Sequence, residues 1–343
     1  MKSLLLCAIA LLELVSAGGP PGRTVRAGGC IQSAIDAARP GDRIIVERGT
    51  YYEQLTISKN GIHLIGQKGA VIAPPKTPST KPNGCTGLAG PGTVAGICII
   101  GTNVKLANFE QEHRKVLSVG KYVKDVTVEG FEVRGFNGIN IAIVGAQNAE
   151  VRGNTVTDGT AYGVLTAGSR STLITRNTAK TSSILFIGIC MDDQSDVEVS
   201  QNSISDYFIG LCVQTNRAEV VYNKVSNCCF GAFIDPGIKG AKVSHNTIGK
   251  TNPGCGGFGN GIMIGGAVNS EVSYNDITGI NDQGNATNTA AGILIFDDPT
   301  SVSNGNVIEF NNLANNEQDI LNVSKGKNTI KKNKCKTPGN LCK

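Results

Sequence analysis

The chain has 343 residues, of which 17% are charged and 40% hydrophobic, and 44 are glycine. Abundant glycine disfavours long helices, whereas the apolar content is too high for a disordered chain. The net charge of +5 arises from seven lysines within the last nineteen residues, which leaves the rest near −2, so no general basic surface for nucleic acid is expected.

Residues 1–17 are typical of a secretory signal. Lys2 precedes an apolar run that begins at Leu4, and Val15-Ser16-Ala17 provides a small-residue cleavage site. The run is too short to span a bilayer, and no later segment is long enough. We therefore expect residues 18–343 to form one secreted, extracellular domain, monomeric and without a membrane or nucleic-acid partner.

A short helix is predicted near the start of this domain. Ile31, Ala34, Ile35 and Ala38 recur at helical spacing, and Pro40-Gly41 ends the pattern. Such a helix would cover an open strand edge at the end of a stacked β structure.

Asparagine recurs about every 22 residues through most of the remaining chain. Val or Ile lies three positions before each of them, and an apolar residue lies two positions after all but the last. The series comprises Asn154, Asn177, Asn202, Asn223, Asn246, Asn275, Asn311 and Asn333. A second apolar column follows a glycine, from Gly138-Ile139 to Gly292-Ile293. Short alternating runs at this period predict an all-β parallel solenoid of about eleven coils, with three strands per coil.

The recurring asparagines are expected at the tight turns between strands. Their side chains can bond to backbone groups, and the residue tolerates left-handed φ. Successive asparagines could also bond to one another along the stack.

The segment from Ser33 to Tyr51 resembles the start of pectin-lyase-like right-handed β-helix proteins. The coils from about residue 125 to 333 are similar to the same superfamily. This resemblance implies a right-handed parallel β-helix, with substrate lying across the strand that carries the glycine column. It also implies a carbohydrate-active protein, although the superfamily includes lyases, epimerases, hydrolases and proteins without known chemistry.

Three polar residues are predicted to stack on that strand. Asp192, Gln214 and Asp235 occupy equivalent positions on successive coils, so the two carboxylates would lie about 9.6 Å apart, or two strand spacings. That separation is near the upper limit for inverting glycoside hydrolysis. Polygalacturonase-like enzymes, however, pair an Asp-Asp motif at the start of the strand with a Gly-His-Gly one coil later. Here Asp192-Asp193 ends the strand and no histidine follows in the next coil.

The segment Phe233-Ile234-Asp235-Pro236-Gly237 resembles the Tyr-Gly-Phe-Asp-Pro-His motif of mannuronan C5-epimerases. Asp235 and Pro236 match, whereas the family's histidine and tyrosine are replaced by Gly237 and Ala232. Our leading hypothesis is a lyase or epimerase acting on a uronic-acid polysaccharide, with Asp235, Asp192 and Gln214 as catalytic candidates. The alternatives are a non-catalytic glycan-binding or surface-associated protein, or a glycoside hydrolase.

Further candidates for substrate binding are aromatic and polar residues just before the Asn turns, together with Phe233 on the substrate strand. The turn residues are Arg176, Gln201, Tyr222, His245, Tyr274 and Phe310. His63 and His113 are isolated in the sequence, so no zinc site is predicted. Calcium is the candidate cofactor, because Asp192-Asp193 with Asp196, or Asp297-Asp298, could supply oxygen ligands.

Removal of Cys7 with the signal leaves ten cysteines, an even number that suits disulfides in an oxidising compartment. We expect pairs between Cys85 and Cys98, Cys190 and Cys212, and Cys335 and Cys342; Cys30, Cys228, Cys229 and Cys255 stay unassigned. Asn285 and Asn322 lie in N-glycosylation sequons.

Overall fold

The computed structural model describes residues 13–14, 22–77, 82–257, 259–282 and 290–342. The proposed signal cleavage site and Asn285 lie outside these residues. The described chain is a right-handed parallel β-helix, as the sequence predicted, and each coil contributes strands to three faces. No described helix is long and apolar enough to cross a membrane.

The first face contains the strand that precedes each Asn turn. Its strands are Glu13–Leu14, Gly22–Val25, Arg43–Val46, His63–Gly66, Val123–Lys124, Thr127–Glu129, Ala146–Gln147, Glu150–Arg152, Arg170–Thr175, Ser195–Ser200, Glu219–Val221, Lys242–Ser244, Glu271–Ser273, Val307–Glu309 and Thr329–Lys331. The pairings between successive coils are parallel, and Val151, Ile174 and Val199 form part of one fully buried column.

The second face follows the Asn turn, and the third face carries the glycine column. Strands of the second face are Gly49–Tyr52, Ala70–Ala73, Glu132–Arg134, Thr155–Thr157, Lys224–Cys228, Thr247–Thr251, Asp276–Thr278 and Asn312–Ala314. Strands of the third face are Leu55–Ile57, Ala95–Ile100, Ile139–Val144, Tyr162–Ala167, Phe230–Ile234, Asn260–Gly265, Ala291–Phe296 and Gln318–Asn322. Thr178–Asp192 and Ser203–Val213 run continuously through both faces.

The predicted helix is present as Ile31–Ala37, and it closes the N-terminal end of the core. Ile31, Ala34 and Ile35 are buried. The Glu53 carboxylate accepts hydrogen bonds from the backbone N–H groups of Ile31 and Gln32, at 2.8 and 3.0 Å. These bonds satisfy donors that a helix N-terminus leaves without intrahelical partners.

The recurring asparagines form a continuous buried ladder. The Asn177 side-chain amide donates to Val151 O at 2.8 Å and to Asn202 Oδ1 at 3.1 Å, and its backbone N–H also donates to Asn202 Oδ1. The pattern repeats from Asn154 to Asn333. The expected left-handed conformation falls on the residue before each asparagine instead, as at Arg176 with φ of 54°. The asparagine itself is therefore selected for its amide, which bonds in two directions.

The glycine column begins differently from the sequence prediction. Ile139 pairs with Tyr162 and Ile141 with Val164, which aligns Asn140, not Gly138, with Gly163. Further along, a Cβ on Gly210 would lie 2.7 Å from the carbonyl oxygen of Gly231, so close backbone approach requires glycine there.

One segment leaves the coil repeat. Thr102–Leu106 and Val116–Lys121 pair as an antiparallel hairpin between the third and first faces. Residues 107–115, here called the hairpin loop, connect these two strands. The Arg114 backbone N–H anchors the loop by donating to Leu88 O at 2.8 Å, and Arg114 Nε donates to Ala107 O at 2.7 Å within the loop.

Candidate functional site

Asp192, Gln214 and Asp235 occupy adjacent coils at the end of the third face. Met191 pairs with Val213, and Val213 pairs with Ile234, so the three polar residues follow in register. The Gln214 side-chain amide donates to Asp235 Oδ2 at 2.6 Å. The solenoid therefore brings together the three residues that the sequence selected, and their catalytic role is treated below as a proposal.

The hairpin loop places the side chains of Glu112, His113 and Lys115 next to these three residues. Glu112 Oε2 accepts a 2.7 Å hydrogen bond from the same Gln214 amide. Lys115 Nζ lies 2.6 Å from Gln214 Oε1 and 3.2 Å from Asp192 Oδ2. We call Glu112, Lys115, Asp192, Gln214 and Asp235 the acid–lysine cluster.

His113 supports this cluster from beneath. Its Nε2 lies 2.9 Å from Asp192 Oδ2, and its Nδ1 lies 3.0 Å from the hydroxyl oxygen of Tyr162. Both rings are buried, so neither reaches solvent. The isolation of His113 that its sequence position suggested is wrong, because the hairpin carries it to the third face.

Burial and the charges of the cluster shift the pKa of Asp235. Burial raises the pKa of Asp235 to about 7; the negative charge of Glu112 adds to the rise, while the Gln214 hydrogen bond and the Lys115 charge oppose it. Carboxylate oxygens of Glu112 and Asp235 lie within 4.8 Å of each other. Asp235 Oδ1 is buried and has no hydrogen-bond partner. Burial therefore favours the protonated form of Asp235 as the pH approaches neutrality.

Asp193, the neighbour of Asp192, is buried and hydrogen-bonded within the fold. Its carboxylate accepts hydrogen bonds from the Thr166 hydroxyl at 2.8 Å and from the Ser169 backbone N–H at 3.0 Å. Burial raises its pKa to about 6 against the effect of these bonds. Asp193 thus fixes the turn after Asp192 and faces the interior.

Three of the carboxylates suggested as calcium ligands, Asp193, Asp297 and Asp298, already accept hydrogen bonds from protein groups. Asp193 is bonded as described, and Asp297 accepts from the Ser324 hydroxyl and from the Ser303 and Lys325 backbone N–H groups. Asp298 Oδ1 accepts from the Thr300 hydroxyl at 2.6 Å. A calcium ion at either turn would have to replace these bonds.

The aromatic residues before the Asn turns form a ladder at the corner between the first and second faces. Ring centroids of neighbours are 4.8–5.0 Å apart along Tyr222, His245, Tyr274 and Phe310. Because each ring covers the face of the next, mainly ring edges meet solvent. This ladder does not lie next to the acid–lysine cluster, and neither does Arg176, which bonds to Gln201. Of the predicted substrate-binding residues, Phe233 lies on the same face as the cluster.

Four cysteine pairs lie at disulfide distance. Cys85–Cys98, Cys190–Cys212 and Cys335–Cys342 were expected, and their Cα atoms are 5.8, 4.5 and 5.1 Å apart. The fourth pair is Cys229–Cys255, at 5.4 Å, while Cys30 and Cys228 are free. Cys255 belongs to a 3₁₀ turn, Pro253–Cys255, which this pair ties to the third face. Asn322 is exposed, and its glycosylation stays a prediction.

Comparison with known proteins identifies the family and the fold. The family described as "Periplasmic copper-binding protein (NosD)" matches residues 36–253, more than half of the chain. Comparison with curated proteins finds no match.

Among solved structures, the chain is similar to a family 28 exopolygalacturonase of Yersinia enterocolitica, with 13% identity and a TM-score of 0.59, over 90% of this chain and 73% of that one. The surface adhesin PfbA of Streptococcus pneumoniae gives 15% identity and a TM-score of 0.58, over 88% and 86%. The A-module of the Azotobacter vinelandii mannuronan C-5 epimerase AlgE4 gives 15% and 0.52, over 88% and 93%. Likeness at this level shows the fold.

The donor set does not fit a resident copper ion. Copper prefers imidazole, thiolate and thioether ligands. His63 bonds to Glu129, His113 uses both ring nitrogens, and His245 is stacked between two tyrosines. The described group of three converging donors is Glu112, Cys212 and Asp235, and its sulfur belongs to the Cys190–Cys212 pair.

Proposed function

Because the chain belongs to the family described as periplasmic copper-binding protein (NosD), we propose that it is exported to an oxidising compartment and acts there on an acidic polysaccharide bound across the third face. The periplasmic description of the family and the four cysteine pairs support export. Secretion beyond the periplasm is part of the proposal. No step of the proposed reaction uses copper.

The observation that carries the proposal is the pair of neighbouring carboxyl groups, Glu112 and Asp235, beside an exposed lysine. Glu112 and Asp235 share one amide donor, and the pKa of Asp235 is raised to about 7. Two neighbouring carboxyl groups, one of which has a raised pKa, can act as base and acid on one substrate. The Lys115 ammonium, which is half exposed, offers a counter-charge for a sugar carboxylate.

We assign lyase chemistry to this arrangement. Lys115 pairs with the carboxylate of a uronic acid, which makes its C5 proton more acidic. The Glu112 carboxylate removes that proton, a double bond forms between C4 and C5, and the C4–O4 bond breaks. Protonated Asp235 gives its proton to the departing O4. Asp192 and His113 hold Lys115 in place, and Gln214 orients both carboxyl groups.

Elimination is favoured over epimerisation because Glu112 and Asp235 would both approach the sugar ring from the same side. An epimerase must remove a proton from one side of the sugar ring and return it from the other. Base and acid within 4.8 Å of each other can contact the adjacent C5 and O4 positions of one sugar.

A glycoside hydrolase is the second candidate, and the same distance favours it. Retaining glycosidases place their two carboxyl groups about 5–5.5 Å apart. In that case Glu112 would be the nucleophile and Asp235 the acid. The predicted inverting pair, Asp192 with Asp235, would be separated by Lys115 and Gln214.

The test uses the mature protein with pectate, alginate and neutral glycans. Ultraviolet absorbance of unsaturated products, reducing ends, and exchange of the C5 proton with deuterated solvent are followed in parallel. Unsaturated product that disappears in Glu112→Gln, and persists in the exposed same-loop control Glu110→Gln, supports the lyase. Reducing ends alone would indicate the hydrolase, C5 exchange alone an epimerase, and binding without product a glycan-binding protein.

A further inference from the structure

Two phenylalanines form an aromatic surface next to Asp235 on the third face. Phe233 lies two residues before Asp235, and Phe296 lies two coils further toward the C-terminus, about 9.6 Å along the stack from Asp235. Gly265 occupies the coil between them. Both rings are partly exposed.

Absence of a side chain at residue 265 lets the rings meet. A Cβ there would lie 2.6 Å from Phe296 Cζ and 2.8 Å from Phe233 Cε2. The ring planes differ by 21°, and the centroids are 6.2 Å apart. The ladder at the Asn turns has centroids about 5 Å apart and closely overlapping faces. At 6.2 Å the two phenylalanine rings overlap little and leave much of their faces uncovered by each other.

Carboxyl groups lie at both ends of this surface, although the Lys325 charge acts on Asp297 and the Lys115 charge acts on Asp235. Asp235 lies at one end, and Asp297 and Asp298 directly follow Phe296. Hydrogen bonds from Ser324 and the Lys325 backbone lower the pKa of Asp297, and bonds from Thr300 lower that of Asp298, so both are ionised at neutral pH. A uronate carboxylate would be repelled here, whereas the apolar C–H face of an uncharged sugar can rest on an aromatic ring.

We propose that Phe233 and Phe296 form a subsite for an uncharged pyranose, placed toward the C-terminus from the acid–lysine cluster. This inference rests on the proposed function, since it places one polysaccharide across both features. Lys115 then selects a uronic acid, and the phenylalanines select a neutral sugar further along the same chain. The substrate class becomes a heteropolysaccharide that contains both kinds of residue.

The absence of tryptophan from the sequence permits a direct test. Phe296→Trp keeps an aromatic surface and introduces a single tryptophan, which can be excited selectively at long wavelength, and Tyr274→Trp on the ladder is the matched control. Mixed oligosaccharides of uronic acid and neutral sugar should change the fluorescence of Phe296→Trp and leave Tyr274→Trp unchanged. In calorimetry, Phe296→Ala should bind them about tenfold more weakly than the wild type. Homopolymeric uronates of equal length should bind the wild type more weakly than mixed ones.

Each outcome separates this subsite from the lyase assignment. Unchanged affinity in Phe296→Ala, a silent Phe296→Trp under saturating oligosaccharide, or equal affinity for homopolymeric and mixed chains would overturn the subsite alone. Binding that depends on Phe296 without any product would retain the subsite and overturn the lyase. A wild-type protein that binds no oligosaccharide of the panel would overturn both.

Discussion

Replacement of Asp235 by asparagine should make the protein more stable at neutral and alkaline pH while abolishing its chemistry. The folded state raises the pKa of this carboxyl from its ordinary value of 3.8 to about 7, chiefly by burial. Asparagine has nearly the same shape and can still accept the Gln214 hydrogen bond, but it cannot ionise. The variant therefore removes the cost of placing a negative charge beside Glu112.

The magnitude follows from proton linkage. A carboxyl with a raised folded-state pKa stabilises the fold fully below about pH 3.8, and this contribution is lost as pH rises toward 7. A pKa difference of about three at about 1.4 kcal/mol each corresponds to at most about 4 kcal/mol. The stability difference between Asp235→Asn and the wild type should thus grow between pH 4 and pH 7 and level off above it.

Urea unfolding of both proteins at several pH values between 4 and 8 measures this difference. Asp193, whose pKa is raised to about 6, gives a slope of the same sign in both proteins and cancels. Asp298→Asn is the control; hydrogen bonds from Thr300 lower the pKa of its carboxyl, so no stability should be gained at pH 8. A stability difference that does not change with pH would refute the burial of a protonated Asp235 and the acid role assigned to it.

Three further predictions concern binding, metal and fold. Lys115→Met should weaken binding of uronate oligosaccharides about 10- to 100-fold, because a charged hydrogen bond is lost. The control Lys105→Met, at an exposed position of the hairpin, should not weaken it. Equal affinities of Lys115→Met and Lys105→Met, measured by calorimetry, would contradict the role of Lys115. Chelation with EDTA should leave the rate of product formation unchanged, because Lys115 supplies the positive charge; loss of activity that calcium restores would show a metal requirement. Asn223→Ala should lower the free energy of unfolding by about 3–6 kcal/mol, since it leaves Val199 O and two donors of Asn202 without their partners. The control Asn312→Ala, at an exposed position, should lower it by about 0.5 kcal/mol or less. Similar urea midpoints for the two variants would contradict the stabilising role of the asparagine ladder.

The sequence predicted those features that depend on the period of the coils. Residues separated by one period become vertical neighbours, so Asp192, Gln214 and Asp235 could be aligned by counting. The buried columns and the Cys190–Cys212 pair followed from the same counting, whereas Cys85–Cys98 and Cys335–Cys342 were expected as pairs of cysteines close in sequence. The left-handed residue was misplaced by one position, because the asparagine's two-directional amide bonds decide the turn more than its tolerance of positive φ.

The features that the sequence did not predict belong to the hairpin. Residues 102–121 interrupt the repeat, so no period relates Glu112, His113 or Lys115 to the coil residues they contact. Their position depends on tertiary docking, such as the Arg114 bond to Leu88 O. The charged run Glu112-His113-Arg114-Lys115, inside a segment without the repeat, was the available signal that an insertion carries functional groups.

The cluster therefore has one half set by strand spacing and one half set by an insertion. Asp192, Gln214 and Asp235 have positions that any chain with these coils would reproduce. The group assigned as base and the cation that would pair with the substrate come from the hairpin loop, which packs against the coils through a few contacts. A chain with the same coils and a different insertion would keep Asp235 without Glu112, and the second contribution to its raised pKa would be lost. Similarity in the coils at 13–15% identity consequently shows the fold, whereas the proposed chemistry of the third face depends on residues of the inserted loop.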